Sequence, residues 1–353
     1  MGLFSTLPAT LPARWREVAL VYLLALGVLA GPAYTMYMNT ELAHSIDPRS
    51  YLSIARGEFA GQSLTRRYRV LVPAAAAAVA WPLAKVYTRI WPQRATADWP
   101  LQLAFYLVNT VLMGWVGVVL YRTCRLYGAA PTAAALSMVA VLSSRWAVYL
   151  AGLPLVDSLY LLVFALAFYA VRARSGVVLA VVLVLGPLAK ESFVFLVPWL
   201  LWFGRPALAW PRQLAWLALG GALALGVRHW IDARVGAPLS ASAGNALSHF
   251  NNITYSLGRL FSVKGAGEIF SIFGFFWLAL LAGQGWAVST RPGWWAPLGR
   301  PALGLGGVVA VHMLLSGELA RMGYLIAPVF AVALARIITQ RGWLREAEAI
   351  TAR

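Results

Sequence analysis

Apolar positions along the chain come in runs of about 20 residues, separated by short segments that carry most of the charge. A helix needs roughly 20 mostly apolar residues to cross the hydrocarbon core of a bilayer. The runs do not alternate every second residue, as the strands of a membrane barrel would. The pattern predicts an all-α fold, a polytopic transmembrane helical bundle that occupies residues 1–353 as a single domain.

These runs predict about ten crossings. The first, residues 18–38, follows a basic segment as a signal peptide would, but it is long enough to span and lacks a small-residue cleavage site. We therefore expect an uncleaved first helix. The other predicted spans are residues 99–121, 132–150, 153–171, 177–189, 192–203, 213–230, 269–288, 302–316 and 322–338.

Composition strengthens this prediction and limits the partners. Hydrophobic residues make up 61% of the chain and charged residues 12%, with a mean hydropathy of +0.71, values that exclude a soluble domain. The net charge of +17 suits anionic membrane lipids or a phosphate-bearing lipid substrate. Nucleic acid is not expected as a partner because the polar surface is too small. A single cysteine, Cys124, excludes an internal disulfide and a cysteine-cluster metal site.

Arginines in the short loops predict the topology. By the positive-inside rule these loops and both termini are cytoplasmic. A crossing at residues 70–87 would move every later arginine-rich loop to the outside, so we predict an interfacial or re-entrant helix on the outer side there. Two long outer loops, residues 39–98 and 231–268, follow from this assignment.

Charged side chains within or beside the predicted spans gather at their outer ends. Such charges are costly in a membrane and usually functional. A transporter would instead place polar groups near the midplane. The one-sided distribution therefore favours a reaction or binding site at the outer surface. The charged residues on which this rests are Asp157, Lys190, Glu191, Glu318 and Arg321.

The first outer loop carries an acid and a tyrosine at helical spacing. Asp47 and Tyr51 would share one face of a short helix that begins at Pro48. Asp47 could cap this helix at its N-terminus or act as a general base, and both interpretations stay open. His44 draws attention by its nearness to Asp47.

Three arginines follow in the same loop. Arg66, Arg67 and Arg69 could hold a lipid phosphate through paired hydrogen bonds, or simply anchor the chain to ordinary phospholipid.

The remaining charged residues have simple local alternatives. Glu318 and Arg321 are three residues apart and could form a local salt bridge. Asp157 could cap the helix that it opens. Lys190 and Glu191 are adjacent, so we expect them to point in different directions and not to serve one small site equally.

Taken together, these segments resemble integral-membrane glycosyltransferases of the GT-C superfamily, which use polyprenyl-phosphate-linked sugars. The resemblance implies that Asp47 is the catalytic base. It also implies basic residues that receive the lipid phosphate, for which we select Arg66, Arg67, Arg69, Lys190 and Arg321, and supporting positions, for which we select His44, Tyr51, Asp157, Glu191 and Glu318. The segments that carry it are Asp47-Pro-Arg-Ser-Tyr51, Ile54-Ala55-Arg56-Gly57, Tyr68-Arg69-Val-Leu-Val-Pro73, Leu153-Pro154-Leu-Val-Asp157, Leu188-Ala-Lys190-Glu191 and Glu318-Leu-Ala-Arg321.

The chain departs from the family pattern in two ways. The first loop has no Asp-x-Asp or Glu-Asp pair, so we predict no cofactor and no metal site, while a divalent metal stays open. We also expect no soluble C-terminal domain, which favours transfer of a single sugar over transfer of an oligosaccharide.

The leading hypothesis is an inverting glycosyltransferase at the outer face of a bacterial-type inner membrane. Asp47 would accept the proton of an acceptor hydroxyl, and Arg69 and Arg321 would stabilise the departing polyprenyl phosphate. The acceptor, whether glycan, lipid or protein, is left open. The alternatives are a transporter or flippase for a lipid-linked or anionic solute, and a non-catalytic membrane scaffold.

Overall fold

A computed structural model of the protein describes residues 13–42, 45–95, 98–236, 243–285 and 298–340. This part of the chain forms helices and no strand. In chain order the α-helices are α1 (Ala13–Asn39), α2 (Ile46–Ala55), α3 (Leu64–Arg67), α4 (Leu71–Ile90), α5 (Pro92–Ala95), α6 (Trp99–Leu126), α7 (Pro131–Leu142), α8 (Arg145–Gly152), α9 (Asp157–Ala173), α10 (Gly176–Ala189), α11 (Val197–Phe203), α12 (Trp210–Val235), α13 (Ala243–Leu260), α14 (Val263–Phe273), α15 (Phe276–Gly285), α16 (Gly299–Ser316), α17 (Leu319–Gly323) and α18 (Ala327–Gln340). Short 3₁₀ helices, Glu191–Phe195 and Tyr324–Ile326, precede α11 and α18.

Six helices in the described ranges are long and apolar enough to cross a membrane, or eight candidate spans result if each of two bent helix pairs counts as one. A polytopic helical bundle is therefore confirmed, whereas about ten crossings are not. The predicted pair at residues 177–189 and 192–203 consists of apolar helices too short to qualify. The six helices are Trp15–Asn39, Leu71–Ile90, Trp99–Leu126, Trp210–Val235, Gly299–Ser316 and Leu319–Thr339.

Helix α6 lies at the centre of the bundle, in contact with α1, α4, α7, α8, α9 and α18. It runs antiparallel to α1. The Tyr121 hydroxyl donates to Glu17 at 2.6 Å near one end of the pair, and the ring of Tyr37 packs on that of Trp99 at 6.1 Å near the other. Gly117 permits this approach, because a Cβ there would lie 2.7 Å from that of Ala25.

The predicted span at residues 132–150 is not one continuous helix, because the chain bends by 66° between α7 and α8; the pair is either a broken span or a re-entrant loop. Ser144 explains the bend. Its hydroxyl accepts from the backbone N–H of Trp146 and so caps α8, and it donates to the carbonyl of Ile272 at 2.6 Å. One small polar side chain thus starts α8 and ties it to α14.

A second predicted span, residues 269–288, is also interrupted within its described part. Helices α14 and α15 meet at 90°, and Gly274 between them has φ +55°, a conformation that favours glycine. The predicted loop at residues 231–268 is largely helical, because α12 extends to Val235 and α13 and α14 follow. Its polar positions belong to amphipathic helices, which an apolar-run criterion does not detect.

Candidate functional site

A cavity of about 490 Å³ lies between α3, the 3₁₀ helix Glu191–Phe195, α12, α16 and α17. Among the described residues, five cationic and three acidic side chains line it, together with an apolar strip. The charged side chains are those of Asp47, Arg66, Arg69, Lys190, Arg228, Glu191, Glu318 and Arg321. Most of the residues selected from the sequence are therefore brought together, although up to 274 positions separate them along the chain.

Asp47 lies in the first turn of α2, where it does not cap the helix. The helix begins at Ile46, and the N-cap residue Ser45 makes no side-chain cap bond. Both carboxylate oxygens of Asp47 face arginines instead. Oδ1 accepts a short hydrogen bond from Nε of Arg66, and Oδ2 accepts one from Arg321 at 2.8 Å. The capping interpretation is therefore wrong.

These arginines set the charge state of Asp47. Burial alone would raise the pKa of Asp47, but the charge and hydrogen bond of Arg321, together with the charge of Arg66, outweigh burial. They hold the pKa of Asp47 below its ordinary value of 3.8. Asp47 is consequently ionised at neutral pH and has little tendency to accept a proton.

A buried ion pair lies beneath the cavity. Nζ of Lys190 donates to Oδ1 of Asp157 at 2.8 Å, and both side chains are almost fully buried. Asp157 does not cap α9, because Val156 occupies the N-cap position. The buried amide of Asn109 donates to the carbonyls of Leu153 and Leu155, and thereby fixes the turn that leads into Asp157.

Arg69 is held from two sides. Its guanidinium donates to both carboxylate oxygens of Glu191 and to the hydroxyl of the fully buried Tyr51, the latter at 2.9 Å. Lys190 and Glu191 do bind different partners, but both line the same cavity. Their different partners agree with the prediction that they point in different directions, and whether they serve one small site equally stays a prediction.

Arg321 joins three acids at the opposite wall. Besides Asp47, its guanidinium contacts Oε2 of Glu318 at 2.7 Å and Oδ2 of Asp157 at 3.7 Å. The local Glu318–Arg321 salt bridge is thus present. Gly317 has φ +74°, a left-handed conformation that ends α16 and turns Glu318 into the cavity wall.

Glu318 differs from the other acids in its exposure. Its side chain is 46% exposed, against 16% for Asp47. Enough protein still surrounds the carboxylate that burial raises the pKa of Glu318 above its ordinary value of 4.5, although Arg321 opposes the shift.

One selected arginine, Arg67, stands apart from the cavity and is not among the residues that line it. Its guanidinium donates to the carbonyl of Gln62 and lies 3.9 Å from Asp232 on α12. The anchoring role left open for Arg67 is therefore replaced by a structural contact within the protein. His44 lies outside the described residues.

Sequence reasoning missed Arg228 on α12. Its guanidinium lies over the ring of Tyr68, 5.1 Å from the ring centroid, and it lines the cavity. In the described part of the chain, no carboxylate lies within ion-pair distance of Arg228. The sequence held one indication of it: Arg228 lies four residues, or about one helical turn, before Asp232. In the structure Asp232 accepts a hydrogen bond from Tyr68 at 2.7 Å. Because the predicted span ended at residue 230, Arg228 and Asp232 were assigned to different segments, although both lie on α12.

His312 on α16 also lines the cavity and is buried. Nδ1 of its ring contacts the carbonyl of Val308 at 2.9 Å, which assigns the proton to Nδ1. Nε2 then accepts from the hydroxyl of Tyr160 at 2.7 Å, and that hydroxyl accepts from Ser192 at 3.1 Å. Both ring nitrogens are thus bonded within the protein.

The balance of charge suits a phosphate. The cationic side chains that line the cavity outnumber the acidic ones by two, and Asp157 beneath it reduces the excess to one. A phosphodiester carries one negative charge. Among the residues that the structure describes, no group of three or more His, Cys, Asp or Glu side chains is arranged to hold a metal ion.

Comparisons with protein-family models, with curated proteins and with solved structures gave no match for this chain. The function is therefore inferred from the chemistry of the cavity.

Proposed function

We propose that this protein transfers a single sugar, with inversion, from a polyprenyl-phosphate donor to an acceptor hydroxyl at the outer face of a membrane. The observation that carries the proposal is a cavity in a membrane helical bundle whose wall combines excess arginine charge with carboxylates and an apolar strip. The three parts match the phosphate, the reacting sugar and the lipid of such a donor.

Arg228 supports the assignment of the phosphate end. The other cationic side chains of the cavity wall already contact carboxylates of the protein. Arg228 does not, within the described residues, so an incoming phosphate oxygen could pair with it without displacing an acid. A guanidinium stacked on an aromatic ring is well oriented to donate two parallel hydrogen bonds.

The apolar strip supports a lipid substrate. Val194 is 59% exposed where the cavity meets the surface of the bundle. An isoprenoid chain leaving the cavity here would remain in contact with apolar side chains and with membrane lipid. The other apolar side chains in the cavity wall are Leu64, Phe195, Leu315 and Met322.

The sidedness of the cavity follows from the packing of α1 and α6. Because Tyr37 packs on Trp99, the chain leaves α1 and reaches α6 at the same end of the bundle. A single crossing by α4 between them would require a second crossing in that stretch, where the other helices have at most 10 residues. This supports α4 as a helix that does not cross, and the positive-inside rule places it and the cavity outside; both termini in the cytoplasm are part of the same proposal.

The proposal is tested with purified protein in lipid nanodiscs. Hexoses and pentoses linked to farnesyl and undecaprenyl phosphate serve as donors, and octyl glycosides serve as acceptors. We expect mass spectrometry to detect released polyprenyl phosphate together with a glycosylated product. Failure to release polyprenyl phosphate from every donor would overturn the proposed function.

Topology has its own test. A cysteine placed at position 172 on a background without Cys124 should react with a membrane-impermeant maleimide only after the membrane is permeabilised. Reaction from the outside in intact cells would reverse the proposed orientation.

A transporter or flippase is the second candidate, and the two bent helix pairs favour it, since broken helices are common around transport sites. The nanodisc assay separates the candidates when it is paired with liposomes. Movement of a fluorescent polyprenyl phosphate between leaflets, without cleavage of the sugar phosphate, would favour transport.

A further inference from the structure

Asp47 and Glu318 both contact the guanidinium of Arg321 on the cavity wall. They differ in whether a carboxylate oxygen is left without a hydrogen bond from a described residue. Asp47 uses one oxygen on Arg66 and the other on Arg321. Glu318 lies 2.7 Å from Nε of Arg321 through Oε2, and no described residue donates a hydrogen bond to Oε1. Because Glu318 is also the more exposed of the two, its free oxygen is accessible to a molecule in the cavity.

We propose that Glu318, and not Asp47, accepts the proton of the acceptor hydroxyl. This inference rests on the proposed sugar transfer and assigns a chemical role within it. A general base needs an oxygen that can approach the hydroxyl to hydrogen-bond distance. Oε1 of Glu318 has no hydrogen-bond partner among the described residues, whereas each oxygen of Asp47 already accepts from an arginine.

The reaction balances with this assignment. The acceptor oxygen forms a bond to the anomeric carbon as its proton passes to Oε1 of Glu318. The bond from the anomeric carbon to the phosphate oxygen breaks, and its electron pair leaves with the polyprenyl phosphate. The half-exposed Glu318 then returns the proton to water.

The titration behaviour of the two acids agrees with the geometry. Burial raises the pKa of Glu318 above 4.5, which makes its carboxylate a stronger base than an ordinary glutamate. The pKa of Asp47 lies below 3.8 because its two arginines outweigh burial. The charged and titratable groups that act on Glu318 or lie beside it are Arg321, Asp47, Asp157, Lys190 and Tyr149.

Asp47 then has a positioning role. It joins Arg66 on α3 to Arg321 on α17, and so holds two cations at fixed places on the cavity wall. Removal of the Asp47 carboxylate would release both arginines and so disturb the part of the cavity proposed to bind phosphate. Loss of activity in an Asp47 variant is therefore expected under either assignment, and that variant alone cannot identify the base.

The deciding experiment compares Glu318→Gln with Asp47→Asn on two acceptors. An octyl glycoside must lose a proton when it attacks, whereas the azide anion attacks without a base. We expect Glu318→Gln to lower transfer to the glycoside by about 10²- to 10⁴-fold while glycosyl azide formation stays at the wild-type rate. Asp47→Asn should lower both products together. Glu58→Gln, at an exposed position outside the cavity, serves as the control.

The pH profile gives a second readout. Transfer by the wild type should fall with decreasing pH as Glu318 becomes protonated, and the fall should be centred above pH 4.5. If Asp47 were the base, the fall would lie below pH 3.8. Should Glu318→Gln not fold, Glu318→Asp keeps a carboxylate on a shorter side chain, and a transfer rate equal to the wild type would overturn the proposal.

Other outcomes are equally clear. Wild-type transfer to the glycoside by Glu318→Gln would exclude Glu318 as the base while leaving the proposed function intact. A parallel loss of both products in that variant would reassign Glu318 to phosphate binding through Arg321. A wild-type protein that releases no polyprenyl phosphate would instead remove the proposed function itself.

Discussion

Arginines gather at both ends of the bundle, but they bind different partners. At the end that holds the cavity, the guanidiniums of Arg66, Arg69 and Arg321 bind carboxylates. At the opposite end, where α6 ends, three guanidiniums donate to backbone carbonyls of residues 126–129. These contacts join Arg125 to Ala129, Arg172 to Leu126 and Arg336 to Tyr127.

The difference shows that a cluster of arginines is not by itself a site. At the opposite end the guanidiniums satisfy carbonyls at and just beyond the C-terminus of α6 and lie at the negative end of its dipole, a sufficient structural reason for their presence. At the cavity end, charges of both signs are taken out of water, which costs free energy that a hydrophobic core would avoid. Such an arrangement in a membrane protein is best explained by function.

The largest effect is expected from the ion pair beneath the cavity. Lys190→Met leaves the buried carboxylate of Asp157 without its hydrogen-bond partner, since Arg321 lies 3.7 Å away. Loss of one partner of a buried pair costs about 3–5 kcal/mol, so we expect a large drop in the unfolding temperature in detergent. Thermal unfolding followed by size-exclusion chromatography measures it.

The double variant Lys190→Met with Asp157→Asn is the matched control. It removes both charges, and stability should partly return because no unpaired charge remains. If Lys190→Met were as stable as the wild type, water would have to reach this ion pair in the folded protein. The cavity end would then no longer differ from the opposite end in having buried charges.

The next effect concerns binding rather than stability. Arg228→Met should weaken binding of undecaprenyl phosphate by roughly 10- to 100-fold, since a hydrogen bond to a charged group contributes about 1.5–3 kcal/mol. Unfolding temperature should hardly change, because no described carboxylate depends on Arg228. Native mass spectrometry in detergent measures the affinity.

Arg172→Met at the opposite end is the matched control for Arg228→Met. Its guanidinium also lies over a tyrosine ring, that of Tyr127, at 4.5 Å. The two variants therefore lose the same kind of cation–π contact but only one lies in the cavity. Equal loss of lipid affinity in both would indicate general attraction of an anionic lipid to a basic protein.

The sequence was sufficient for the class of fold. Long apolar runs without strand-like alternation predict a helical bundle, because a helix satisfies its backbone groups within one segment. The sequence was not sufficient to predict where helices are interrupted. A single serine at position 144 bends a predicted span because its hydroxyl finds a carbonyl 128 residues away, at Ile272, and no local pattern contains that partner.

Part of the site could also be predicted from the sequence. Asp47, Lys190, Glu191 and Arg321 could be selected because charges near spans are costly. The pairing of Asp47 with Arg321 required the tertiary fold, as did the distinction between Arg69 and Arg67, which are two residues apart but bind partners on different helices. Glu318 was selected as a supporting residue, and only its free oxygen suggests a larger role.

The smallest effect is expected at the opposite end. Arg172 is exposed there, and its bond to the carbonyl of Leu126 measures 3.3 Å. A cation at a helix C-terminus contributes about 0.3–1 kcal/mol, less in high salt, so Arg172→Gln should lower the unfolding temperature only slightly. Thermal unfolding at low and high salt measures the difference.

Salt dependence separates the two ends in this last test. If Arg172 stabilises α6 through charge, the small difference between Arg172→Gln and the wild type should shrink as salt rises, because exposed charges are screened. The large effect of Lys190→Met should persist, because salt screens a buried pair much less. A large, salt-independent loss of stability in Arg172→Gln would show that the opposite end also contains a buried charge network, and the cavity would no longer be distinguished by its chemistry.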